Sequence, residues 1–328
     1  MDVREKDIIA KYFSPLSKNA KGADELKDDI AVLGNLGSGL LAINMDTLVA
    51  GTHFFSDDDP TILAQKALRV NISDLAAKGA VPFGYFLSLA LPKTATEAYI
   101  KAFAHGLAID QRNFNLNLLG GDTVKTKGPL TITITILGLL SSSEIPRRST
   151  AQAGDDIYVS GTIGDGALGL LAHPSYTGKN RLTAKYSRHI GHYLCPEPRV
   201  ELQPIISKFA SASMDISDGL LGDLTNILNS SELGAELNVD HIPFSEETKS
   251  ILLNEIDMLP TILTGGDDYE ILFTAAPQHA ADIEKQARKL HFDLTKIGTM
   301  NAGSELQLLD GNKSLNIAGF NLSHSHTW

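Results

Sequence analysis

Apolar and polar positions alternate most cleanly at residues 129–140, PLTITITILGLL. There Thr131, Thr133 and Thr135 share one face and Ile132, Ile134 and Ile136 the other. A period of two predicts a strand. Its threonine face has two readings, one facing water and one packed on another sheet, including a sheet from a second subunit. PTILAQKALRVNISDLAAKGA has helical spacing, with Pro60 near its start and Gly79 near its end. TEAYIKAFAHGLAIDQRN reads as an amphipathic helix, and residues 4–13 share the helical spacing. PFGYFLSLALP predicts a strand, LLAINMDTLV a strand running into a loop at Asp46, and NLNLLGGDT a short strand ending in a glycine turn. SSSEIPRRSTAQAG breaks every periodicity and marks a domain boundary, giving residues 1–148 and 149–328. Beyond it come a strand (DIYVSG), a glycine loop and a helix (DGALGLLA). SASMDISDGLLGDLTNIL follows as strand, turn and helix, and TGGDDYEILFTA as a glycine turn opening into a strand. A final helix and two short strands complete the chain. Both halves mix helices and strands, so the class is α/β or mixed α+β.

Composition narrows the picture. A chain of 328 residues favours two domains, and 43% hydrophobic with 20% charged residues is ordinary globular usage. With 39 acidic against 28 basic residues the formal net charge is -11, which argues against nucleic-acid binding but not against small phosphates met through divalent metal. One cysteine, Cys195, excludes an internal disulfide framework and a cysteine-rich zinc site and fits a reducing cytoplasm. No apolar signal core opens the sequence, and no segment approaches the roughly 20 apolar residues of a membrane span.

The candidate chemistry is acidic. NISD at residues 71–74 is echoed by DISD at 215–218, and LGGDT at 119–123 by TGGDD at 264–268. Asp74 to Asp122 spans 48 residues and Asp218 to Asp267 spans 49, which suggests related halves or a coincidence of short motifs. Asp28, Asp29, Asp46, Asp74, Asp122, Asp215, Asp218, Asp267 and Asp268 fall at predicted strand ends or in turns. A lone aspartate there is usually a solvated turn or a helix cap. Carboxylates dispersed one or two per turn suit Mg²⁺ that also binds phosphates and water. The loop SGTIGDGALG follows a strand and opens a helix, so its N–H groups are placed to hold an anion, though it has neither Walker A nor Rossmann spacing. Arg147 and Arg148 at the domain junction are either a solvated linker pair or a grip on a polyphosphate. His53, in AGTHFF, is either structural or a ligand contact.

Taken in order, DDIAVL, MDTLVAGTHF, VNISDLAAKGAVP, LLGGDT, RSTAQAGDDIYVSGTIGDGALGL, PEPR, MDISDGL and TGGDDYEI resemble the thiamine-monophosphate kinase family over nearly the whole chain. The wider superfamily includes aminoimidazole ribonucleotide synthetase, selenophosphate synthetase and hydrogenase-maturation proteins. Selenophosphate synthetases usually carry a reactive cysteine or selenocysteine near the N-terminus, and the hydrogenase-maturation type ends in cysteine; here the cysteine is at 195 and the last residue is Trp328. The resemblance implies a cytoplasmic, ATP-dependent kinase that converts thiamine monophosphate to thiamine diphosphate. It also implies a two-domain aminoimidazole ribonucleotide synthetase-like fold that dimerises through its N-terminal sheet. Carried over by motif, Asp29, Asp46, Asp74, Asp122, Asp215 and Asp218 would hold several Mg²⁺ ions. Gly121, Arg148 and Ser217 would contact ATP, His53 and Asp267 would contact the thiamine phosphate, and Phe320 would lie near the organic rings. No general base is assigned. The echoed tetrapeptides would face each other across a domain cleft.

The sequence departs from the family at three places. Lys27 replaces a glycine before the aspartate pair, Asn44-Met45 replaces Ser-Thr, and Asp267 stands for the glutamate of Gly-Gly-Glu-Asp. The first removes nothing acidic, the second removes hydroxyls that an Asn44 oxygen or backbone carbonyls would replace, and the third shortens a side chain by one methylene. The rival functions are another ATP-dependent enzyme of the superfamily, such as an amide-activating ligase, and a non-catalytic Mg²⁺ or nucleotide-binding regulator.

Overall fold

The computed structural model describes residues 9–19, 40–141, 144–178, 181–182, 187–254, 258–311 and 313–320. Asp28, Asp29 and Lys27, together with the start of the 4–13 helical pattern, lie outside the described residues. The chain divides into two compact units, residues 1–75 with 80–143 and residues 76–79 with 144–328.

The first unit is a four-stranded sheet covered on one face. Its strands are β1 (Leu40–Val49), β2 (Val81–Pro92), β3 (Asn117–Thr126) and β4 (Thr131–Leu140), in the order β1-β4-β2-β3. Only β2 and β3 run parallel, joined through α2 (Glu97–Asn113); the other pairs are antiparallel. The alternation in β4 decides the faces. Ile132, Ile134 and Ile136 are buried with Leu87 and Leu89 of β2 and with Leu63, Leu68, Ile72 and Leu75 of α1 (Pro60–Ala77). Each such aliphatic side chain contributes about 1.5–3 kcal/mol through burial. On the opposite face Thr133 registers with Thr47, and on β1 Ile43 and Met45 stay 62% and 61% exposed.

Helix α1 starts and stops where its sequence signals lie. Asp59 Oδ1 accepts from the N–H groups of Thr61 at 2.8 Å and Ile62 at 3.2 Å, with Pro60 at the first helical position, where no N–H is needed. At the other end Gly79 takes φ +67°, and Gly79 N–H and Ala80 N–H close on the carbonyls of Ala76 and Leu75. Two expectations are corrected. β1 continues to Val49, so Asp46 lies within a strand and not in a loop. β3 continues through Gly120, Gly121 and Asp122 to Thr126, so this Gly-Gly-Asp is no turn. The glycine serves the pairing, since a Cβ on Gly121 would stand 1.9 Å from the Leu87 carbonyl oxygen.

The second unit is a seven-stranded sheet in the order β11-β10-β7-β9-β5-β8-β6. The strands are β5 (Asp156–Ser160), β6 (Ala212–Asp215), β7 (Gly234–Asn238), β8 (Ile271–Ala275), β9 (Leu294–Asn301), β10 (Leu306–Asp310) and β11 (Lys313–Leu315). Only β7 and β10 pair in parallel. The helices are α3 (Asp165–Ala172), α4 (Ser187–Leu194), α5 (Gln203–Phe209), α6 (Leu220–Ser231), α7 (Glu246–Asn254), α8 (Leu259–Thr264) and α9 (Ala280–Leu290). At β5, β6 and β8 both sheet faces are buried, which is why Ile157–Val159 and Ile271–Phe273 are apolar without alternation. Ile157, Val159, Met214 and Leu272 face α6, while Tyr158, Ile271 and Phe273 face α5 and α9. Tyr158 stacks on Phe273 with ring centroids 5.1 Å apart. Among the described residues, no helix is long and apolar enough to cross a membrane.

Candidate active site

In the first unit Asp46 and Asp74 lie near Asn71. Its position in α1 puts its amide against β1, where Oδ1 accepts from the Asp46 N–H at 3.1 Å and Nδ2 donates to the Ala67 carbonyl at 3.0 Å. Among the described residues β1 has a neighbouring strand on one side only, and Asn71 satisfies the Asp46 N–H on the other side. Asp74 follows three residues later on the same helical face. Asn44, two residues before Asp46 and on the same side of β1, donates Nδ2 to Asp74 Oδ2 at 2.6 Å and reaches Asp46 Oδ2 at 3.4 Å. The structure therefore brings Asp46 and Asp74 together through Asn44, one of the positions where the sequence departs from the family.

Asp122 is elsewhere. Register aligns Asp46 with Ile134, Leu87 and Gly121, on the helix-covered face. Asp122 aligns with Ser88, Thr133 and Thr47, on the open face, and is exposed. Among the described strands β1 and β3 are the two outermost, three strand spacings or about 14 Å apart. His53 lies just beyond β1, and its Nδ1 accepts from the Val49 N–H at 3.0 Å. This bond puts the proton of the neutral ring on Nε2.

The second unit builds its acidic site from two loops laid side by side. Asp215 ends β6 and is buried; Ser217 and Asp218 are half-buried, and Gly219 takes φ +105° before α6 begins. Asp267 N–H donates to the Ser217 carbonyl at 3.0 Å, Tyr269 N–H to the Ile216 carbonyl at 2.8 Å, and Ile216 N–H to the Glu270 carbonyl at 2.8 Å. Gly266 must be glycine, because a Cβ there would meet the Ser217 carbonyl oxygen at 2.1 Å. Asp267 and Tyr269 adopt left-handed φ of +70° and +53°, a strained choice for non-glycine residues. Their alternation turns Asp268 inward.

Asp268 is the residue that holds the anion position of the glycine loop. Its buried carboxylate accepts from Gly164 N–H at 2.7 Å and Gly166 N–H at 2.9 Å, capping α3. Burial pushes its carboxyl well above the ordinary range, against the pull of those two N–H groups. These N–H groups of SGTIGDGALG are thus taken by the protein's own side chain, which corrects their reading as a ligand cradle. The PEPR and YE motifs are likewise explained within the fold. Arg199 forks onto Glu270, with Nε 2.7 Å from Oε2, and Ser160 Oγ donates to the same carboxylate.

Asp223 is a site neighbour that the motif reading missed. It sits in the first turn of α6, buried, and its Oδ2 accepts from Asp218 N–H at 2.9 Å. Burial pushes its carboxyl up to about 7; the Asp218 and Asp215 charges add to this, while the Asp218 N–H and Arg148 oppose it. The legible signal was an aspartate on the otherwise apolar face of Leu220, Leu221, Leu224, Ile227 and Leu228. Arg148 has an exposed side chain, with its carbonyl accepting from Ser231 Oγ at 2.8 Å. Phe320 is half-buried against the core under α6.

These oxygen donors suit a hard cation such as Mg²⁺. Among the described residues no three carboxylates, imidazoles or thiols converge on one point.

Comparison with known proteins agrees with this architecture. The AIR synthase related protein N-terminal domain matches residues 27–140, and the corresponding C-terminal domain matches residues 152–311. Thiamine-monophosphate kinase of Caulobacter vibrioides is 37% identical over 91% of this chain and 84% of its own. The crystal structure of thiamine-monophosphate kinase from Stenotrophomonas maltophilia superposes with a TM-score of 0.77 at 36% identity, covering 86% of this chain and 89% of that one. The complex of AaThiL with AMPPCP and TMP superposes with a TM-score of 0.72 at 28% identity, covering 87% and 89%. Two AIR synthase related domains in sequence and an identity above a third along nearly the whole length make this chain a member of the thiamine-monophosphate kinase family.

Proposed function

We propose that this chain transfers the γ-phosphoryl group of ATP to the phosphate of thiamine monophosphate, giving thiamine diphosphate. The observation that carries this reading is the 37% identity to thiamine-monophosphate kinase across 91% of the chain, with the family's acidic motifs in place. Mg²⁺, when bound, would neutralise the phosphates of ATP and of the acceptor. Several such ions would be held, with Asp46 and Asp74 as described ligands in the first unit, Asp122 at a separate place on its sheet, Asp215 and Asp218 in the second unit and, outside the described residues, Asp29. A cation beside Asp74 would favour Asn44 with its amide turned over, presenting Oδ1 in place of Nδ2. Gly121 and Ser217 would approach ATP, and the exposed Arg148 would pair with its phosphates. His53 would donate from Nε2 to the acceptor phosphate. Asp267, on its strained outward-facing turn, and Phe320 would meet the thiamine. No base is needed. A phosphate monoester is largely dianionic at neutral pH, with a second pKa of about 6, so its oxygen attacks without losing a proton. The residues' task is positioning and charge neutralisation. The working place would be the cytoplasm.

The test is the acceptor. With ATP and Mg²⁺, thiamine monophosphate should be converted to the diphosphate and free thiamine left unchanged, as read by chromatography, with the rate falling below about pH 6 as the acceptor protonates. Efficient conversion of free thiamine overturns the reading.

We also infer a homodimer through the open face of the first sheet. Ile43 and Met45 are 62% and 61% exposed there beside Thr133 and Thr135, so two large apolar side chains stand on one strand face without cover. A second such sheet would cover it, and Asp122 would then lie at the interface. Sedimentation at micromolar concentration should give a dimer, and Met45→Glu a monomer; a wild-type monomer ends the idea.

A further inference from the structure

We propose that Lys78 is a positioning residue for nucleotide binding, acting on Arg148 and Asp215 together; this rests on the kinase reading above. Lys78 belongs to the second unit. It is half-buried, and its ammonium donates to two peptide carbonyls, that of Pro146 at 3.1 Å and that of Ser213. Each carbonyl lies two residues ahead of a residue assigned to phosphate or metal, Pro146 ahead of Arg148 and Ser213 ahead of Asp215.

The stretch from Glu144 to Gly154 contains no helix or strand, so no ladder fixes its course. Its successive carbonyls are held by side chains instead. Lys78 takes that of Pro146, Thr150 Oγ1 sits 2.8 Å from that of Arg147, and Ser231 Oγ donates to that of Arg148. Thr150 Oγ1 also lies 2.6 Å from the Ser211 carbonyl before β6; its single proton goes to one of these two carbonyls, while Thr150 N–H donates to that of Arg147 at 3.2 Å. The backbone is anchored while both arginine side chains remain exposed. That is the arrangement expected of a loop that presents guanidinium groups to a ligand at a set place. An ammonium has three donors and no acceptor, so a single lysine can bind both segments at once, where a hydroxyl could serve only one.

The test uses the full-length protein with Mg²⁺ and AMPPCP, a nucleotide analogue that needs no turnover, measured by calorimetry. Lys78→Met, of similar length without donors, should weaken AMPPCP binding roughly tenfold, the value of one hydrogen bond to a charged group. Lys78→Arg, which keeps donors at similar reach, should recover most of it. In turnover, Lys78→Met should raise KM for ATP and leave KM for thiamine monophosphate within about twofold. Ser231→Ala, removing the donor to the Arg148 carbonyl, should weaken AMPPCP in the same direction by less and supplies a reading should Lys78→Met not fold. Unchanged AMPPCP affinity in Lys78→Met, or in Ser231→Ala where Lys78→Met does not fold, overturns the proposal. So do equal rises in both KM values, or failure of Lys78→Arg to recover binding. Normal nucleotide behaviour with no product from thiamine monophosphate would instead sink the kinase reading and leave the positioning role standing.

Discussion

The two echoed tetrapeptides fold differently. Asn71-Ile72-Ser73-Asp74 lies inside α1, whereas Asp215-Ile216-Ser217-Asp218 crosses from the end of β6 into a turn. Their companions differ too, Gly120-Gly121-Asp122 within a strand and Gly265-Gly266-Asp267 within a loop. The residue after each aspartate marks the difference. Leu75 continues the buried stripe of Leu68 and Ile72, so the helix propagates; Gly219 takes φ +105°, which a side chain tolerates poorly. The backbone then determines how each motif makes its polar contacts. A helix uses its own N–H and C=O groups internally, so the first motif reaches β1 through the Asn71 side chain. A turn leaves carbonyls open, so the second motif is paired through the backbone of Ile216 and Ser217. Similar spacing in sequence thus does not make the two motifs equivalent in structure; what they have in common is an aspartate held in place from behind.

If both aspartates serve phosphate chemistry, Asp74→Asn and Asp218→Asn should each lower kcat/KM by at least about a hundredfold, since a lost metal ligand forfeits several kcal/mol of charge stabilisation. Melting temperatures should stay near wild type. A near-normal rate at limiting Mg²⁺ in either variant would break the functional equivalence and leave one motif as scaffold.

Gly219→Ala should destabilise the protein by about 2–4 kcal/mol in urea unfolding, because its Cβ would stand 2.6 Å from the Thr264 carbonyl carbon at a left-handed φ. Wild-type stability in this variant would mean that the turn is not locked by glycine.

The division between side-chain and backbone pairing predicts an asymmetry. Asn71→Ala strips the Asp46 N–H of its acceptor and should cost about 1–3 kcal/mol. Ser217→Ala leaves the carbonyl that accepts from Asp267 and should cost under about 0.5 kcal/mol. Equal losses would contradict the division.

Asp223 adds a pH dependence of stability. A carboxyl pushed up to about 7 on folding, against about 4 in the unfolded chain, binds its proton more tightly when folded. Stability from this group is therefore present below about pH 4 and is lost as pH rises to about 7. In EDTA-treated protein, the fall in Tm from pH 5 to pH 8 should be smaller in Asp223→Asn than in wild type, by about 3 °C. Mg²⁺ should shrink the wild-type fall by offsetting the Asp215 and Asp218 charges. An identical pH slope in the two proteins would show that Asp223 does not titrate in this range.

Much of this protein is determined locally. The Thr-Ile alternation specified β4 and its buried face, since one pleated face must leave water. Asp59-Pro60 and Gly79 bounded α1, because caps act on the nearest turn. The ordered acidic motifs by themselves point to the family. Tertiary structure decided what depends on partners distant in sequence. β3 runs on through Gly121 because the Leu87 carbonyl lies against it, and Asp46 is in a strand because β4 pairs beside it. Asp268 caps α3, a hundred residues away, while its neighbour Asp267 faces outward. Two adjacent aspartates look alike in a sequence. Only the fold, through the N–H groups of Gly164 and Gly166, turns Asp268 inward as a helix cap.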